Sequence, residues 1–415
     1  MLEGYKILDF TQFVAGPACT RILAEMGAEV IKVEIAPNGD RVRAVGLKSP
    51  KPEFAGSTQS TYYLQHNQGK LSMGLDLQKP AARDLLKALV PKMDVVAENF
   101  APGVIARMGF SYEQVRELNP SIVMVSVSMA GQTGPLAEKS GYDYIGQAYA
   151  GITDGLGERG MPPSVSSMAI GDISTGIAAA MAVGFALLHR ERTGEGQYLD
   201  ASLLDTYFHM HEMNVPMIAM LGNAYRPTRN GSLHPHGGPA GIYTCQKTGE
   251  YLFITVVPHQ WQQFVKALGM PELATDPRFD AHEKRVENKL ILKEIIEKWL
   301  SQFETRAKAI SALEKERVPC APVLSLNEAM EHPHLRKRGT VRWIEDPILG
   351  RVAIPGLPVK FSSWPEKTNQ HCSLLGEDNE RVLQELLDLS KERISQLYRD
   401  QVLVHDPLLD SSRLN

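Results

Sequence analysis

Cysteine is scarce in this sequence of 415 residues, and its four cysteines are far apart. They are Cys19, Cys245, Cys320 and Cys372, and no two of them form a C-x-x-C pair. This spacing fits neither a structural zinc site nor a disulfide framework, so free thiols in a reducing compartment are expected. The N-terminal residues lack a basic segment followed by an apolar one, so secretion is not indicated and we expect a cytoplasmic protein.

The sequence also lacks a block of basic residues, and its net charge is −4. A nucleic-acid backbone requires a concentrated basic surface, so nucleic acid is not an expected partner. The most apolar segment, about residues 173–188, is rich in small residues and looks too short to cross a membrane, so no membrane association is expected. The chain exceeds about 250–300 residues, where single cores stop growing, so two domains are expected.

Several catalytic motifs are missing. There is no G-x-S-x-G, no Cys/His pairing and no H-E-x-x-H, so neither a serine or cysteine nucleophile nor a metal site is favoured. The loop TQFVAGPAC, residues 11–19, has a single glycine instead of G-x-G-x-x-G. Glu34 stands where a dinucleotide-binding fold carries its acidic residue, but without the glycines this match is weak.

What the sequence does contain is an alternation of strand-like and helix-like segments. Residues 6–34 are typical of a strand, a helix and a second strand, and the alternation continues to about residue 130. Apolar strands alternating with helices favour an α/β fold with a parallel sheet covered on both faces. Ligands of such sheets bind beyond the carboxyl ends of the strands. The candidate loops are those after Phe10 and Leu77 and those at residues 98–102 and 129–134.

The pattern changes near residue 225. Two helices are predicted before it, from Asp172 to about His189 and from Leu199 to about Leu221. A segment rich in glycine, proline and histidine follows and leads into a predicted hairpin and three amphipathic helices. We therefore expect a first domain part at 1–224, a small α+β domain at 225–320, and a more β- and turn-rich part at 321–415.

Carboxylates are the best candidates for catalysis. Asp172, in the segment MAIGDISTG, precedes a predicted helix, where an aspartate is most often an N-cap. The alternative is a nucleophile that cap hydrogen bonds and the helix dipole keep ionised at its ordinary pKa of about 3.9. Asp143, in SGYDYIG, fits either a buried acceptor of backbone amides or a site residue. Arg107 fits either a phosphate ligand or a surface ion pair.

Five segments together resemble the class III CoA-transferases, the family of formyl-CoA transferase and carnitine CoA-transferase. They are residues 9–34, 98–110, 141–151, 171–176 and 376–403. The resemblance implies an α/β fold: a Rossmann-like large domain whose parallel sheet is formed by both chain ends, and a smaller inserted α+β domain. It also implies an interlocked dimer, and it assigns residues 321–415 to the large domain.

The resemblance further implies a site. Asp172 matches the catalytic aspartate, which takes the acyl group as a mixed anhydride and then carries CoA as a thioester. No tightly bound cofactor is implied, because coenzyme A and acyl-CoA are substrates together with a small carboxylic acid, expected to be a di- or hydroxy-acid. The positions matching CoA contacts are Val14, Ala15, Leu75, Asp76, Leu77, Gln78, Asn99, Phe100, Ala101, Arg107, Ser140, Gly141, Tyr142 and Asp143. Gln12, His234 and His236 are candidate substrate residues, although loop histidines are often only solvated.

Two departures from the family pattern bear on the substrates. The glycine run that closes over the intermediate in formyl-CoA transferase has no counterpart in ITVVPHQWQQF, residues 254–264. The glutamine of that enzyme's first loop is replaced by Val14. Both changes argue against formyl-CoA and oxalate as the specific pair.

Two other functions remain open. An α-methylacyl-CoA racemase carries a histidine at the position of Tyr142, and tyrosine, with an ordinary pKa of about 10, is a poor base at pH 7. A non-catalytic CoA-binding module would have no need of Asp172. Replacing that aspartate would leave CoA binding by such a module unchanged, whereas a transferase would lose turnover.

Overall fold

The computed structural model describes residues 1–365 and 370–410. These residues form two compact units. The first contains Met1–Ala150, Ser166–Glu212 and the chain from Pro333, and the second contains Gly151–Val165 and Met213–His332. The units therefore change at 212/213 and 332/333, and residues 151–165 join the second. The expected division at 224/225 and 320/321 stays a prediction about separately folding domains.

Strands and helices alternate along much of the described chain. The strands are β1 (Lys6–Asp9), β2 (Glu29–Ile35), β3 (Lys70–Leu75), β4 (Val95–Glu98), β5 (Val123–Ser128), β6 (Tyr198–Ser202), β7 (Ala240–Cys245), β8 (Glu250–Thr255), β9 (Cys320–Pro322), β10 (Val341–Asp346) and β11 (Gly350–Pro355). The helices are α1 (Ala15–Glu25), α2 (Thr61–Asn67), α3 (Pro80–Leu89), α4 (Val104–Arg107), α5 (Tyr112–Leu118), α6 (Asp143–Tyr149), α7 (Ile152–Gly155), α8 (Ile170–Thr193), α9 (Leu203–His209), α10 (Asn214–Leu221), α11 (Trp261–Leu268), α12 (His282–Glu287), α13 (Lys289–Leu300), α14 (Arg306–Lys315), α15 (Leu326–Glu331), α16 (Pro333–Lys337), α17 (Asn379–Leu387) and α18 (Lys391–Arg399).

A parallel sheet of six strands lies at the centre of the first unit as described. Its order is β3-β2-β1-β4-β5-β6, and every neighbouring pair is parallel. This confirms the α/β fold. The expectation that both chain ends form the sheet was wrong, because its strands all lie between Lys6 and Ser202. To this sheet the later part of the described chain adds one antiparallel bridge, between Leu403 and Leu75. Its helices α17 and α18 instead bury their apolar residues in the core that contains Leu75.

Strand β6 occupies residues that the sequence predicted to be helical. The predicted helix from Leu199 to Leu221 was wrong, since Tyr198–Ser202 pairs in parallel with β5. Ser202 then caps α9 by accepting the backbone N–H of Asp205 at 3.0 Å. Pairing with β5 satisfies the backbone hydrogen-bonding groups of this short segment. In this pairing Tyr198 lies opposite Met124, which is 74 positions earlier in the chain, and no local pattern reveals so distant a partner.

The sheet is covered on both faces because neighbouring side chains of a strand point in opposite directions. Leu8 packs in a core with residues of α3, α5, α17 and α18, whereas Ile7 packs in a second core with α1 and α8. The small residues of α8 allow α1 to approach closely. A Cβ added at Gly176 would lie 2.7 Å from the carbonyl oxygen of Ala15.

Helix α8 is longer than the sequence suggested. It has 24 residues, so the expectation that this segment is too short to cross a membrane was wrong. In the described chain α8 is the one helix that is long and apolar enough, by length and composition alone, to cross a membrane. Of its most apolar window, 44% is buried. The core helix of a water-soluble protein passes the same test. The buried part of α8 packs in the same core as α1.

The second unit is built around a small antiparallel sheet of order β7-β8-β9. The hairpin of β7 and β8 and the helices α11, α13 and α14 lie where the sequence predicted them. Their apolar faces meet in one core, which includes Leu252, Phe264, Ile296 and Leu313.

Candidate active site

A pocket of about 580 Å³ opens in the first unit where the chain leaves β1, β4 and β5. The order of the strands reverses between β1 and β4, and ligands of open α/β sheets bind at such a reversal. The pocket is lined by residues 12–15, Arg41, Tyr62, residues 99–102, Val104, residues 127–130, Ala137, residues 139–144, Ala169, Asp172 and Leu203.

The pocket brings together most of the predicted site residues. Those in its lining are Gln12, Val14, Ala15, Asn99, Phe100, Ala101, Ser140, Gly141, Tyr142, Asp143 and Asp172. Those outside its lining are Leu75, Asp76, Leu77, Gln78 and Arg107. His234 and His236 belong to the second unit, where the backbone N–H of His236 donates to Nδ1 of His234 at 3.2 Å. Their role in substrate binding stays a prediction.

The segment Leu75–Gln78 leaves β3 at the edge of the sheet. Leu75 and Leu77 are buried in the core, and the backbone N–H of Asp76 donates to the carbonyl of Val402 at 3.0 Å. In the structure this segment attaches the C-terminal chain to the sheet, and its predicted contact with CoA stays a prediction.

Arg107 is exposed at the end of α4. The residues that the structure describes offer it no carboxylate at ion-pair distance, so the surface ion pair considered for it is not observed. Its contact with a phosphate of CoA stays a prediction.

The sequence suggested that Asp172 is the N-cap of its helix, but in the structure it is not. Helix α8 begins at Ile170, and Ala169 occupies the cap position without a side-chain hydrogen bond. Asp172 lies in the first turn, and its backbone N–H donates to Oδ2 of Asp143 at 2.8 Å. The oxygen that accepts from this end of the helix therefore comes from Asp143, 29 positions earlier in the chain.

The charge of Asp172 is also less favoured than expected. Burial, together with the nearby negative charge of Asp143, raises the pKa of Asp172 to about 7. The expectation that cap bonds hold this pKa near its ordinary value was wrong, because the cap bonds are absent and a second carboxylate is close. Carboxylates whose pKa is raised in a cleft are candidates for catalysis, since they bind protons and electrophiles more strongly.

Asp143 is held in place by α9. Its side chain is 3% exposed and accepts the hydroxyl of Tyr207 as well as the N–H of Asp172. Gln147 donates to the same hydroxyl at 3.3 Å. The Tyr207 ring packs on Gly171, where an added Cβ would lie 2.1 Å from the ring. Asp143 therefore accepts a backbone amide and lines the pocket, and its role as a site residue stays a prediction.

The first loop of the pocket has a strained backbone. Phe13 has a φ of 64°, a left-handed conformation that costs a non-glycine residue about 1–3 kcal/mol. Its N–H donates to Oδ1 of Asp40 at 3.1 Å, and Asp40 forms a buried ion pair with Lys32 at 2.9 Å. Gln12 and Asn99 exchange two hydrogen bonds of 2.7 Å. These contacts fix residues 12–15 at the pocket.

Glu34 is not available to a nucleotide. It is buried and paired with Arg43 at 2.6 Å, and the hydroxyl of Tyr63 donates to it at 2.8 Å. Although burial opposes its ionisation, the Arg43 guanidinium lowers the pKa of Glu34 to about 2. This carboxylate is a structural ion pair, which removes the remaining support for dinucleotide binding.

Sequence reasoning missed five polar or charged residues of the pocket. They are Arg41, Tyr62, Ser128, Lys139 and Tyr144. Tyr144 lies in the segment 141–151, and the other four belong to no motif. The one local signal is Asp40, whose side chain accepts the N–H of Val42 at 3.1 Å and so begins the short 3-10 turn that carries Arg41.

The pocket, its carboxylate pair and the order of the strands agree with one known family. The family model described as CoA-transferase family III matches residues 2–379. This chain belongs to that family.

The family III relatives are named as transferases. The chain is 31% identical to the succinyl-CoA:D-citramalate CoA-transferase of Chloroflexus aurantiacus over 97% of this chain and 98% of that one. It is 32% identical to a formyl-CoA:oxalate CoA-transferase of Escherichia coli over 93% and 95%. A CAIB/BAIF family protein from Brucella suis has a similar structure, with a TM-score of 0.79, 30% identity and coverage of 93% and 99%. The chain is thus a CoA-transferase, of the EC 2.8.3 group, and CoA is its substrate.

Proposed function

We propose that this family III enzyme moves CoA from an acyl-CoA donor to a small di- or hydroxycarboxylic acid through a covalent aspartyl-CoA intermediate on Asp172. The observation that carries the proposal is the position of Asp172. It lies in the first turn of α8, in a pocket at the reversal point of the sheet, with a pKa of about 7.

The proposed chemistry begins with the ionised carboxylate of Asp172. It attacks the donor thioester, forms a mixed anhydride and releases CoA as a thiolate. The thiolate attacks the aspartyl carbonyl, forms the aspartyl-CoA thioester and releases the donor acid as a carboxylate. The acceptor carboxylate attacks that thioester and releases the thiolate, which takes the new acyl group and restores Asp172. No net proton is consumed, and each covalent step replaces one difficult exchange by an easier one.

Asp143 supports this cycle electrostatically. Its negative charge makes a second negative charge on Asp172 unfavourable. Both acylated forms of Asp172 are neutral, so the same charge does not oppose them. Ionised Asp172 therefore gains more from acylation than an isolated carboxylate would. We assign the remaining predicted contacts in the lining to CoA; they are Val14, Ala15, Asn99, Phe100, Ala101, Ser140, Gly141 and Tyr142.

The expected acceptor is supported by the relatives' names. The two transferases from Chloroflexus aurantiacus and Escherichia coli are named for citramalate and oxalate, which are both dicarboxylic acids. Val14 and the segment at residues 254–264 depart from formyl-CoA transferase, so we do not extend the oxalate and formyl-CoA pair to this chain.

The proposed assembly is an interlocked homodimer. Along α8, one stripe of apolar side chains is exposed at successive turns: Ile173 is 38% exposed, Ile177 43%, Met181 57%, Phe185 65% and Leu188 48%. A contiguous apolar stripe of this kind favours burial against another surface. A second copy of the chain is the occupant that the family resemblance implies. The expected cytoplasmic location stays a prediction.

The test is exchange of CoA between a panel of acyl-CoAs and acids, followed by mass spectrometry. We expect a new acyl-CoA, and an Asp172 peptide that becomes a hydroxamate when hydroxylamine is present during turnover. The Asp172→Asn variant should bind CoA but not exchange it. Deuterium exchange at the α-carbon without CoA transfer would favour the racemase. Full activity of Asp172→Asn would exclude the covalent mechanism.

A further inference from the structure

Two cationic residues line the pocket, and they differ in their partners. Lys139 donates to the hydroxyl of Tyr149 and lies 5.1 Å from the centroid of its ring. Arg41 is exposed and lies 5.8 Å from the ring centroid of Phe13. In residues 1–365 and 370–410, no hydrogen-bond or ion-pair partner of the Arg41 guanidinium is found. Arg41 is therefore free to bind an anion that enters the pocket.

The backbone that carries Arg41 is firmly held. Oδ1 of the buried Asp40 accepts the N–H of Val42 at 3.1 Å and the N–H of Phe13 at 3.1 Å. The same carboxylate is paired with Lys32. One buried side chain thus fixes both the turn of Arg41 and the loop that presents the Phe13 ring to it. Because this backbone is already held in place, less conformational freedom is lost when Arg41 binds a ligand.

The charge balance of the pocket indicates what this cation is for. When the acceptor binds, Asp172 is an uncharged thioester, but the lining still contains the carboxylate of Asp143, which would repel the second carboxylate of a dicarboxylic acid unless a cation faces it. A guanidinium presents paired donors that match a carboxylate. A monocarboxylic acid would use its single carboxylate in the attack and leave Arg41 without a partner.

We propose that Arg41 binds the second carboxylate of a dicarboxylic acceptor while the first attacks the thioester on Asp172, so that Arg41 determines the preference for dicarboxylic acids. This inference rests on the proposed function. The chemistry that Arg41 recognises is an anionic oxygen group, which a phosphate of CoA also carries, and the experiment separates the two sources.

The test compares the Arg41→Gln variant with the wild type on acids of matched length. Succinate is compared with butyrate, and malate with 3-hydroxybutyrate, as acceptors of CoA. Where an acid is not turned over, it is tested instead as a competitive inhibitor of an acid that is. We expect the wild type to prefer the dicarboxylic acid and the variant to lose about tenfold of that preference, the usual scale for one charged hydrogen-bonded contact. Arg41→Lys should retain part of it, and Lys139→Gln is the matched control that should retain all of it.

The dissociation constant for free CoA, measured by calorimetry on the same variants, separates the outcomes. An unchanged value with a reduced acid preference supports the inference. Weaker CoA binding with an unchanged acid preference would assign Arg41 to a phosphate of CoA and overturn it, as would no change in either quantity. Absence of the covalent Asp172 adduct in the wild type during turnover is a separate result, which would refute the proposed function rather than the role of Arg41.

Discussion

The pH dependence of the enzyme should change in a defined direction when Asp143 loses its charge. In the Asp143→Asn variant the amide oxygen can still accept the N–H of Asp172, which is 2.8 Å away in the wild type. What the substitution removes is the negative charge beside the nucleophile. Ionisation of Asp172 then becomes easier, so the pKa of Asp172 should fall.

The structure sets the size of this change. Raising the pKa of Asp172 from 3.8 to about 7 makes ionisation about 4 kcal/mol less favourable, since one pH unit corresponds to about 1.4 kcal/mol. Burial is the larger cause and Asp143 the smaller. Less than half of the change therefore belongs to Asp143, and its neutralisation should lower the pKa by about one unit.

The assay is kcat/KM for the acyl-CoA donor between about pH 5 and 9, which reports ionisations of the free enzyme. The wild type should lose activity as pH falls through about 7, because only ionised Asp172 attacks. In Asp143→Asn this acidic limb should lie about one unit lower, with a lower plateau because the nucleophile is less basic. Arg41, Lys139 and Tyr62 also line the pocket and are unchanged in the variant.

Tyr207→Phe is the matched control, because it removes a hydrogen bond to Asp143 but leaves the charge. Its acidic limb should stay closer to that of the wild type than the limb of Asp143→Asn. If the limb of Asp143→Asn coincides with the wild-type limb, or moves to higher pH, the electrostatic reasoning is wrong.

Three further outcomes are expected. The pKa of Asp172 is raised in the folded state, so the folded protein loses stability as pH rises from about 4 to 7 and this carboxylate ionises. The Asp172→Asn variant, which carries no charge there, should therefore unfold at a higher temperature than the wild type at about pH 8. Below about pH 4 the two proteins should unfold at the same temperature. Gly171→Ala should lower stability by about 1–2 kcal/mol in urea unfolding and reduce kcat, because the new Cβ would meet the Tyr207 ring at 2.1 Å; equal stability would contradict this. Phe185→Glu should yield monomers in light scattering if α8 lies in the dimer interface, and an unchanged mass would argue against that interface.

Much of the fold could be predicted because it is written in local patterns. The alternation of apolar segments predicted five of the six strands of the parallel sheet. The capping box that begins α5, formed by Ser111 and Gln114, is likewise a local pattern. The second unit's hairpin and its amphipathic helices were equally visible. The strand β6 was missed because its pairing partner, β5, is distant in sequence.

The candidate site divides in the same way. The loops after β1 and β4 could be named from the sequence, because a parallel sheet places its ligands at the carboxyl ends of its strands. Asp172 could be named from its place at the start of a predicted helix and from the resemblance to the class III CoA-transferases. Arg41 and Lys139 could not, since they belong to no motif and reach the pocket only through the course of their loops.

The sequence by itself determined most of the elements, although not β6, and which carboxylate stands at the start of the long helix, since periodicity and turn residues act over a few positions. The tertiary structure alone decided how that carboxylate behaves. Its raised pKa depends on burial and on Asp143, which the fold brings into contact with the first turn of α8. Charge and desolvation act through space, so no local pattern could have shown that Asp172 is half protonated near neutral pH.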